Sequence, residues 1–180
     1  MRIITGDYKG RRLKAPEDDS IRPTADKVKE ALFSIIADKV WGSRALDLFA
    51  GTGNLGLEAL SRGAESCVFA DNSRESLGII KSNIKTCGAE ERAQVAAGDY
   101  RKILMNAEGK FDIIFLDPPY GKGFLDECFG IIADRQLLSR EGVIVAEHRK
   151  EEDLPDVFHG FHREKERRYG IVKLSIYTVE

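Results

Sequence analysis

Asp47-Leu48-Phe49-Ala50-Gly51-Thr52-Gly53-Asn54-Leu55-Gly56 is the stretch that decides the fold. The run Arg44 to Phe49 reads as a buried strand, and a helix follows from about Leu55 to Ser61. Between them, glycines at 51, 53 and 56 stand in the spacing G-x-G-x-x-G. Gly51 and Gly53 let the backbone approach a ligand closely, and Gly56 lets the helix pack near the sheet. Dinucleotide enzymes use the same spacing, so the turn narrows the fold more than the function. Asp47 narrows it further. A carboxylate at the strand end favours a ligand with an ammonium group and repels a pyrophosphate.

Outward from this turn, short apolar runs alternate with amphipathic segments, the pattern of a parallel sheet covered by helices. Ser66 to Ala70 reads as a second strand, and Ser73 to Thr86 as a helix with Leu77, Ile80 and Ile84 facing inward. Ala93 to Ala97 is a third strand, Tyr100 to Asn106 a short helix and Phe111 to Leu116 a strongly apolar fourth strand. Phe124 to Ala133 is helical, Gly142 to Glu147 is a fifth strand, and Arg163 to Tyr169 with Ile171 to Thr178 forms a closing hairpin turned at Gly170. The expected architecture is α/β, a doubly wound and mostly parallel sheet of about seven strands. Before it, Arg2 to Thr5 and Arg11 to Lys14 suggest a small hairpin. Thr24 then caps a helix with Val28, Ala31, Leu32, Ile35 and Ile36 on one face. We read residues 1–180 as one domain, an N-terminal extension over 1–40 and a catalytic core over 41–180.

Two further strand ends carry acidic residues. Asp71 lies 18 residues past Gly53, where a carboxylate can accept both ribose hydroxyls of an adenosine. Asp99, in Gly98-Asp99-Tyr100, suits either a ligand contact or the N-cap of the short helix after it.

The fourth strand ends in Phe115-Leu116-Asp117-Pro118-Pro119-Tyr120, the most informative stretch for chemistry. Two successive prolines cannot continue a sheet ladder, so they stiffen the backbone at the carboxyl edge, where open α/β folds bind ligands. A merely rigid turn is the bland alternative. The chemical reading starts from an aromatic exocyclic amine, whose lone pair is delocalised into the ring. The Asp117 carboxylate can accept one N–H and the Pro118 carbonyl the other, which draws the nitrogen toward sp³. Alignment and desolvation then supply much of the acceleration, and Asp117, or solvent through it, takes the proton lost. Tyr120 offers a flat face on which an unstacked base can rest, a contact of about 1–3 kcal/mol. The chemistry requires no metal.

Composition sets the outer bounds. The chain has 180 residues, 42% of them hydrophobic, and a net charge of −2. Its apolar runs are strand-length, which argues against a membrane span, and its start lacks the apolar core of a signal peptide. We therefore expect a soluble cytoplasmic protein. Cys67, Cys87 and Cys128 are widely spaced and read as reduced thiols, and the three histidines show no zinc spacing with them. The basic run Arg2 to Lys14, with Arg11 and Arg12, and the adjacent Arg167 and Arg168 are candidate nucleic-acid contacts; a solvated charged surface is the alternative.

The turn Phe49-Ala50-Gly51-Thr52-Gly53 resembles the first motif of class I methyltransferases, and Asp117-Pro118-Pro119-Tyr120 resembles the motif of amino-methyltransferases acting on adenine N6, cytosine N4 or guanine N2. More specific are Met1-Arg-Ile-Ile-Thr-Gly6, Tyr8-Lys-Gly-Arg-Arg-Leu13, Arg22-Pro-Thr24, Lys27-Val-Lys-Glu-Ala-Leu-Phe33, Glu58-Ala-Leu-Ser-Arg-Gly63, Arg168-Tyr-Gly170 and Lys173-Leu-Ser175. Together they resemble the bacterial 16S rRNA guanine-N2 methyltransferases of the RsmD type over nearly the whole chain. The resemblance implies S-adenosylmethionine as methyl donor, a Rossmann-like core, and one guanine of 16S rRNA as target, presented by an assembling 30S subunit; a monomer suits a small enzyme docking on so large a particle. Carried over by position, Asp47, Phe49, Gly51, Gly53, Asp71, Asp99 and Tyr100 would hold the cofactor. Asp117 to Tyr120 would hold the amine and base, and Arg22 and Thr24 would lie on the substrate side; Arg22-Pro23-Thr24 reads equally as a helix start. The acidic net charge departs from what an rRNA enzyme suggests. Rival readings are an adenine-N6 methyltransferase of DNA or RNA, a non-catalytic RNA-binding assembly factor on the same fold, and a dinucleotide oxidoreductase.

Overall fold

In a computed structural model, which describes residues 1–17 and 23–179, the chain forms one eight-stranded sheet with helices on both faces. In chain order the elements are α1 (Pro23–Ile35), α2 (Ala37–Val40), β1 (Arg44–Leu48), α3 (Asn54–Ser61), β2 (Ser66–Asp71), α4 (Arg74–Cys87), β3 (Ala93–Ala97), α5 (Tyr100–Asn106), β4 (Phe111–Leu116), α6 (Phe124–Asp134), β5 (Leu138–Arg149), β6 (Val157–Phe158), β7 (Phe161–Tyr169) and β8 (Val172–Thr178). The strand order is β3-β2-β1-β4-β5-β8-β7-β6. β1 to β5 pair in parallel, and β8, β7 and β6 close the sheet antiparallel. The winding direction reverses between β1 and β4, so the crevice of this fold opens beyond their carboxyl ends.

Alternation along the strands feeds two cores. Ala45, Phe69, Ile113, Phe115, Val143 and Val145 point to the face covered by α1, α3, α4 and the N-terminal segment. Leu46, Leu48, Ile114, Leu116, Ile144 and Ala146 point to the face covered by α5 and α6. A strand buried on both faces reads as a continuous apolar run, which is why β1, β4 and β5 are conspicuous in sequence.

The alternation of strands and helices agrees with the expected doubly wound sheet, with three differences. The sheet has eight strands, not about seven, because the two-residue β6 adds an edge that no periodicity can reveal. β5 begins at Leu138, four residues before the expected Gly142; a register irregularity between Phe111 and Ile113 lets the exposed Arg140-Glu141 pair ride at the strand start. α1 begins at Pro23, so Thr24 sits within its first turn rather than at its cap; proline suits that opening position because its missing N–H has no helical partner there.

The expected N-terminal hairpin forms around one antiparallel bridge, Arg2 with Arg12, with backbone hydrogen bonds from the Ile3 N–H to the Arg11 carbonyl at 3.0 Å, from the Gly10 N–H to the Ile3 carbonyl at 2.9 Å and from the Leu13 N–H to the Met1 carbonyl at 2.9 Å. Side chains seat it on the domain. Ile3, Tyr8 and Leu13 are buried. Glu58 on α3 accepts the Ile4 and Thr5 backbone N–H groups at 2.9 and 3.2 Å. Lys29 of α1 closes the network, its Nζ 2.9 Å from Glu58 Oε1 and 2.7 Å from both the Arg2 carbonyl and Asn54 Oδ1. These contacts fix α1 and the chain start against α3, the helix that follows the glycine turn. Among the described residues no helix is long and apolar enough to cross a membrane.

Candidate active site

At the carboxyl ends of β1, β2, β3 and β4 lies a cleft of about 680 Å³, bordered by Asp71, Asp99, Tyr100 and Asp117 to Tyr120. A second hollow of about 570 Å³ adjoins it on the α1 side, bordered by Asp47, Gly51, Asn54 and Glu147. The two share Phe49, Asp117 and Tyr120. Asp117 at the tip of β4 and Phe49 at the bend after β1 therefore border both hollows.

The bend is built as its residue types suggest. Gly51 and Gly53 have φ of 60° and 81°, and nothing approaches the position of a Gly51 side chain within 4 Å. At Gly56 the opposite holds: a Cβ would lie 2.4 Å from the Phe69 ring and 2.7 Å from Cys67 Sγ, so this glycine is what seats α3 on β2. Phe49 also has positive φ, 68°, a strained conformation for a non-glycine residue. That twist sets its ring against Tyr100 and Phe124, with centroids 5.3 and 6.0 Å away. The three rings form an apolar wall on the Asp99 side of the cleft.

Each acidic strand end has a backbone anchor. Asp47 is 3% exposed and accepts the Gly56 N–H at 2.9 Å. Burial, more than this hydrogen bond can offset, pushes its pKa up to about 7, and the nearby Asp71 charge adds to the rise. Asp71 accepts the Gly51 N–H at 3.0 Å on one oxygen and the Ser73 N–H at 2.9 Å on the other. Each oxygen retains a lone pair, so the carboxylate can still receive a pair of hydroxyls. Asp99 caps α5, accepting the Arg101 N–H at 2.9 Å, and its carboxyl group also borders the cleft. Tyr100 is buried, and its hydroxyl donates to Glu127 at 2.8 Å. Burial, with that carboxylate, pushes its pKa up to about 12, so it stays a neutral donor.

Asp117 is reached by solvent through the cleft, yet protein surrounds it closely on the other sides. That confinement, reinforced by the charges of Glu147 and Asp47, holds its pKa well above the usual carboxylate range. Tyr120 is half-buried. Its hydroxyl donates to Glu147 Oε1 at 3.3 Å, and the Arg149 guanidinium covers its ring at 5.2 Å. A base can rest against the other ring face.

One residue of this cluster was not anticipated. Glu147 is half-buried near the end of β5, its pKa raised by burial. The register pairs Leu116 with Ala146, so Glu147 follows on β5 as Asp117 follows on β4. The signal was available: an acidic residue terminates the apolar run Val143 to Ala146 as Asp117 terminates Ile113 to Leu116. Asp47, Asp117 and Glu147 thus form a row of carboxylates on neighbouring strands of one sheet face. The arrangement suits a ligand that brings positive charge and N–H donors.

The basic residues singled out in the sequence do not all reach the cleft. Arg11 donates to the Thr86 carbonyl at 3.3 Å and to the Cys87 carbonyl, and lies over Tyr8 at 5.3 Å. It therefore closes the C-terminus of α4, which leads away from the cleft toward the amino end of β3. A side chain bound to helix-end carbonyls explains why it is held there. Arg12 remains exposed beside Arg2. Arg22 falls outside the described residues, and Thr24 is described through its backbone in α1. Nearer the site, exposed Lys122 borders the cleft and Arg149 lies against Tyr120. Cys67, Cys87 and Cys128 are buried free thiols.

The same architecture recurs in known proteins. Residues 1–178 match the family described as Conserved hypothetical protein 95. YlbH of Bacillus subtilis is 44% identical over 98% of each chain. Ribosomal RNA small subunit methyltransferase D of Escherichia coli is 34% identical over 100% of this chain and 90% of its own length. The solved structure of YhhF from Escherichia coli superposes with a TM-score of 0.86 at 33% identity, over 98% of this chain and 96% of that one. Relatives at this identity and coverage, together with the full-length family match, place the chain in the RsmD family of ribosomal RNA methyltransferases.

Proposed function

We propose that this protein transfers a methyl group from S-adenosylmethionine to the N2 amine of a guanine in 16S rRNA. One observation carries the reading: Asp117-Pro118-Pro119-Tyr120 stands where the two hollows meet, so one tetrapeptide faces both a nucleoside-sized cleft and an acidic recess. The donor fits the residues present. Asp71, anchored by backbone N–H groups but retaining free lone pairs, suits ribose hydroxyls. The wall of Phe49, Tyr100 and Phe124 suits a flat ring, with Asp99 beside it for the adenine amine. Asp47, buried and with no ion pair among the described residues, suits the ammonium of the methionine part.

When bound, S-adenosylmethionine supplies a methyl carbon activated by its sulfonium. The protein's own contribution is to the amine. Asp117 accepts one N–H and the Pro118 carbonyl the other, which takes the nitrogen lone pair out of ring conjugation. Tyr120 supports the base by stacking, its position fixed by Glu147 and Arg149. The raised proton affinity of Asp117 equips it to take the proton the amine gives up. Arg12, Lys122 and Arg149, all exposed, are assigned to phosphates. The relatives named small-subunit methyltransferases support rRNA as substrate, and the reading places a monomeric enzyme on an assembling 30S subunit in the cytoplasm.

The test uses the protein with methyl-labelled S-adenosylmethionine and small-subunit RNA and particles from cells lacking the enzyme, followed by digestion to nucleosides. Label in N2-methylguanosine supports the proposal. Label in N6-methyladenosine transfers the assignment to an adenine enzyme, and no label with cofactor bound points to an assembly factor.

A further inference from the structure

The site contains more acceptors than the transfer reaction needs. Asp117 and the Pro118 carbonyl are enough to hold one amine, which leaves Glu147 with no task beyond holding Tyr120 through one of its two oxygens. Val143, Val145 and Glu147 alternate onto the sheet face that Ile113, Phe115 and Asp117 also use, so the two carboxyl groups issue side by side from adjacent strands. Both border the recess that also contains Asp47. Tyr120 donates to Oε1 of Glu147 at 3.3 Å, orienting that carboxylate while leaving Oε2 for another donor. Among the described residues no ion pair reaches Glu147. A half-buried carboxylate that has, among the described residues, one weak donor and no ion-pair partner is matched by donors from a ligand.

The nucleobases differ in what they place beside their amine. Guanine presents N1–H next to the N2 amine, a contiguous row of donors. Adenine presents the N1 lone pair next to its amine, and cytosine the N3 lone pair. The tetrapeptide at the end of β4 can grip the amine of any of them. A second carboxylate one strand away cannot treat them alike: it accepts from the guanine N1–H and meets the ring lone pair of adenine or cytosine with like charge. We infer that Glu147 is the residue that selects guanine, by accepting the N1–H of the base whose amine Asp117 and Pro118 hold. This inference rests on the guanine-N2 reading above and assigns that reading's specificity to a single side chain. Glu147 transfers no proton in this role.

The probe is an RNA fragment with 2-aminopurine in place of the target guanine. It keeps the N2 amine, replaces the N1–H with a lone pair, and fluoresces when unstacked. The wild-type protein should prefer guanine over 2-aminopurine by about 100-fold or more in kcat/KM, because a site built to receive a donor rejects an analogue lacking it. In Glu147→Gln the side-chain amide can donate to the ring nitrogen, so the preference should narrow to about tenfold or less. Without cofactor, 2-aminopurine fluorescence should rise more on binding this variant than on binding wild type. Unchanged cofactor affinity in Glu147→Gln shows that it is folded. Wild type accepting both bases within a few fold overturns the inference without any variant. Equal slowing of both bases in Glu147→Gln also overturns it, since a structural role would act that way. If wild type labels adenine and not guanine, the guanine-N2 reading itself has failed and takes this inference with it.

Discussion

Replacing Asp47 by asparagine should make the protein more stable at alkaline pH while weakening its hold on the methyl donor. Asp47 is 3% exposed, and the backbone hydrogen bond it accepts from Gly56 does not offset the burial of a charge. Its pKa rises from the ordinary 3.8 to about 7. Between those values the folded protein holds a proton that the unfolded chain lacks, so stability falls as pH rises, and the full penalty is present above about pH 7. At about 1.4 kcal/mol per tenfold change in proton affinity, the whole displacement is worth about 4 kcal/mol, of which about 3 develops between pH 5 and pH 8. Asparagine keeps an oxygen for the Gly56 N–H and carries no charge. Urea unfolding at the two pH values measures the effect. Wild type should lose about 3 kcal/mol more than Asp47→Asn on going from pH 5 to pH 8, and the variant should be more stable at pH 8. Comparing the two proteins cancels groups they share, including His148, whose depressed pKa acts in the opposite sense. Identical pH dependence in the two proteins, or a variant less stable at pH 8, would refute the reasoning. Cofactor affinity should drop by about tenfold or more in the same variant, the expected exchange between stability and function at a binding site.

Other substitutions probe separate parts of the account. Gly56→Ala forces a methyl group to within 2.4 Å of the Phe69 ring; overpacking should lower unfolding free energy by about 1–3 kcal/mol in urea melts, more than alanine's helix propensity returns. Lys29→Met leaves Glu58 buried with Arg62 as its remaining ion-pair partner; a loss of about 3 kcal/mol and early hydrogen exchange at Ile4 and Thr5 are expected, and unchanged protection there would dismiss the network as the anchor of the chain start. Arg11→Ala should reduce stability by about 1 kcal/mol through the α4 terminus without altering the salt dependence of RNA binding. Arg12→Ala and Arg149→Ala should each flatten the log–log salt slope by about 0.7–0.9 instead. Transfer should fall as pH drops through the raised pKa of Asp117, since a protonated carboxyl group there cannot accept the amine N–H; a flat acidic limb would remove Asp117 from that role.

The sheet and much of the site were legible because parallel strands buried on both faces leave continuous apolar runs, and the functional carboxylates end those runs. Asp71 and Asp117 announce themselves in this way, Asp47 by standing within its run just before the glycine turn, and the double proline marks the edge beside Asp117. Glu147 ends the apolar run Val143 to Ala146 in the same manner, but its value appears only when the strand order sets β5 beside β4. Pairing across long separations was not legible. Arg11 reads locally as part of a basic run; its partner carbonyls at Thr86 and Cys87 lie more than 70 residues away in the chain, where no periodic pattern can point. The Lys29–Glu58 pair likewise looks like two ordinary surface charges on two amphipathic helices, although both side chains are almost fully buried. The short elements α2 and β6 lack the length for a period to register.

The central claim is that the end of β4 holds the amine and the bend after β1 holds the donor. Asp117→Ala separates these tasks in one sample, when S-adenosylmethionine binding is measured by calorimetry alongside single-turnover transfer to small-subunit RNA. The account predicts cofactor affinity within a few fold of wild type and no transfer. Loss of cofactor binding, or transfer at the wild-type rate, would contradict it.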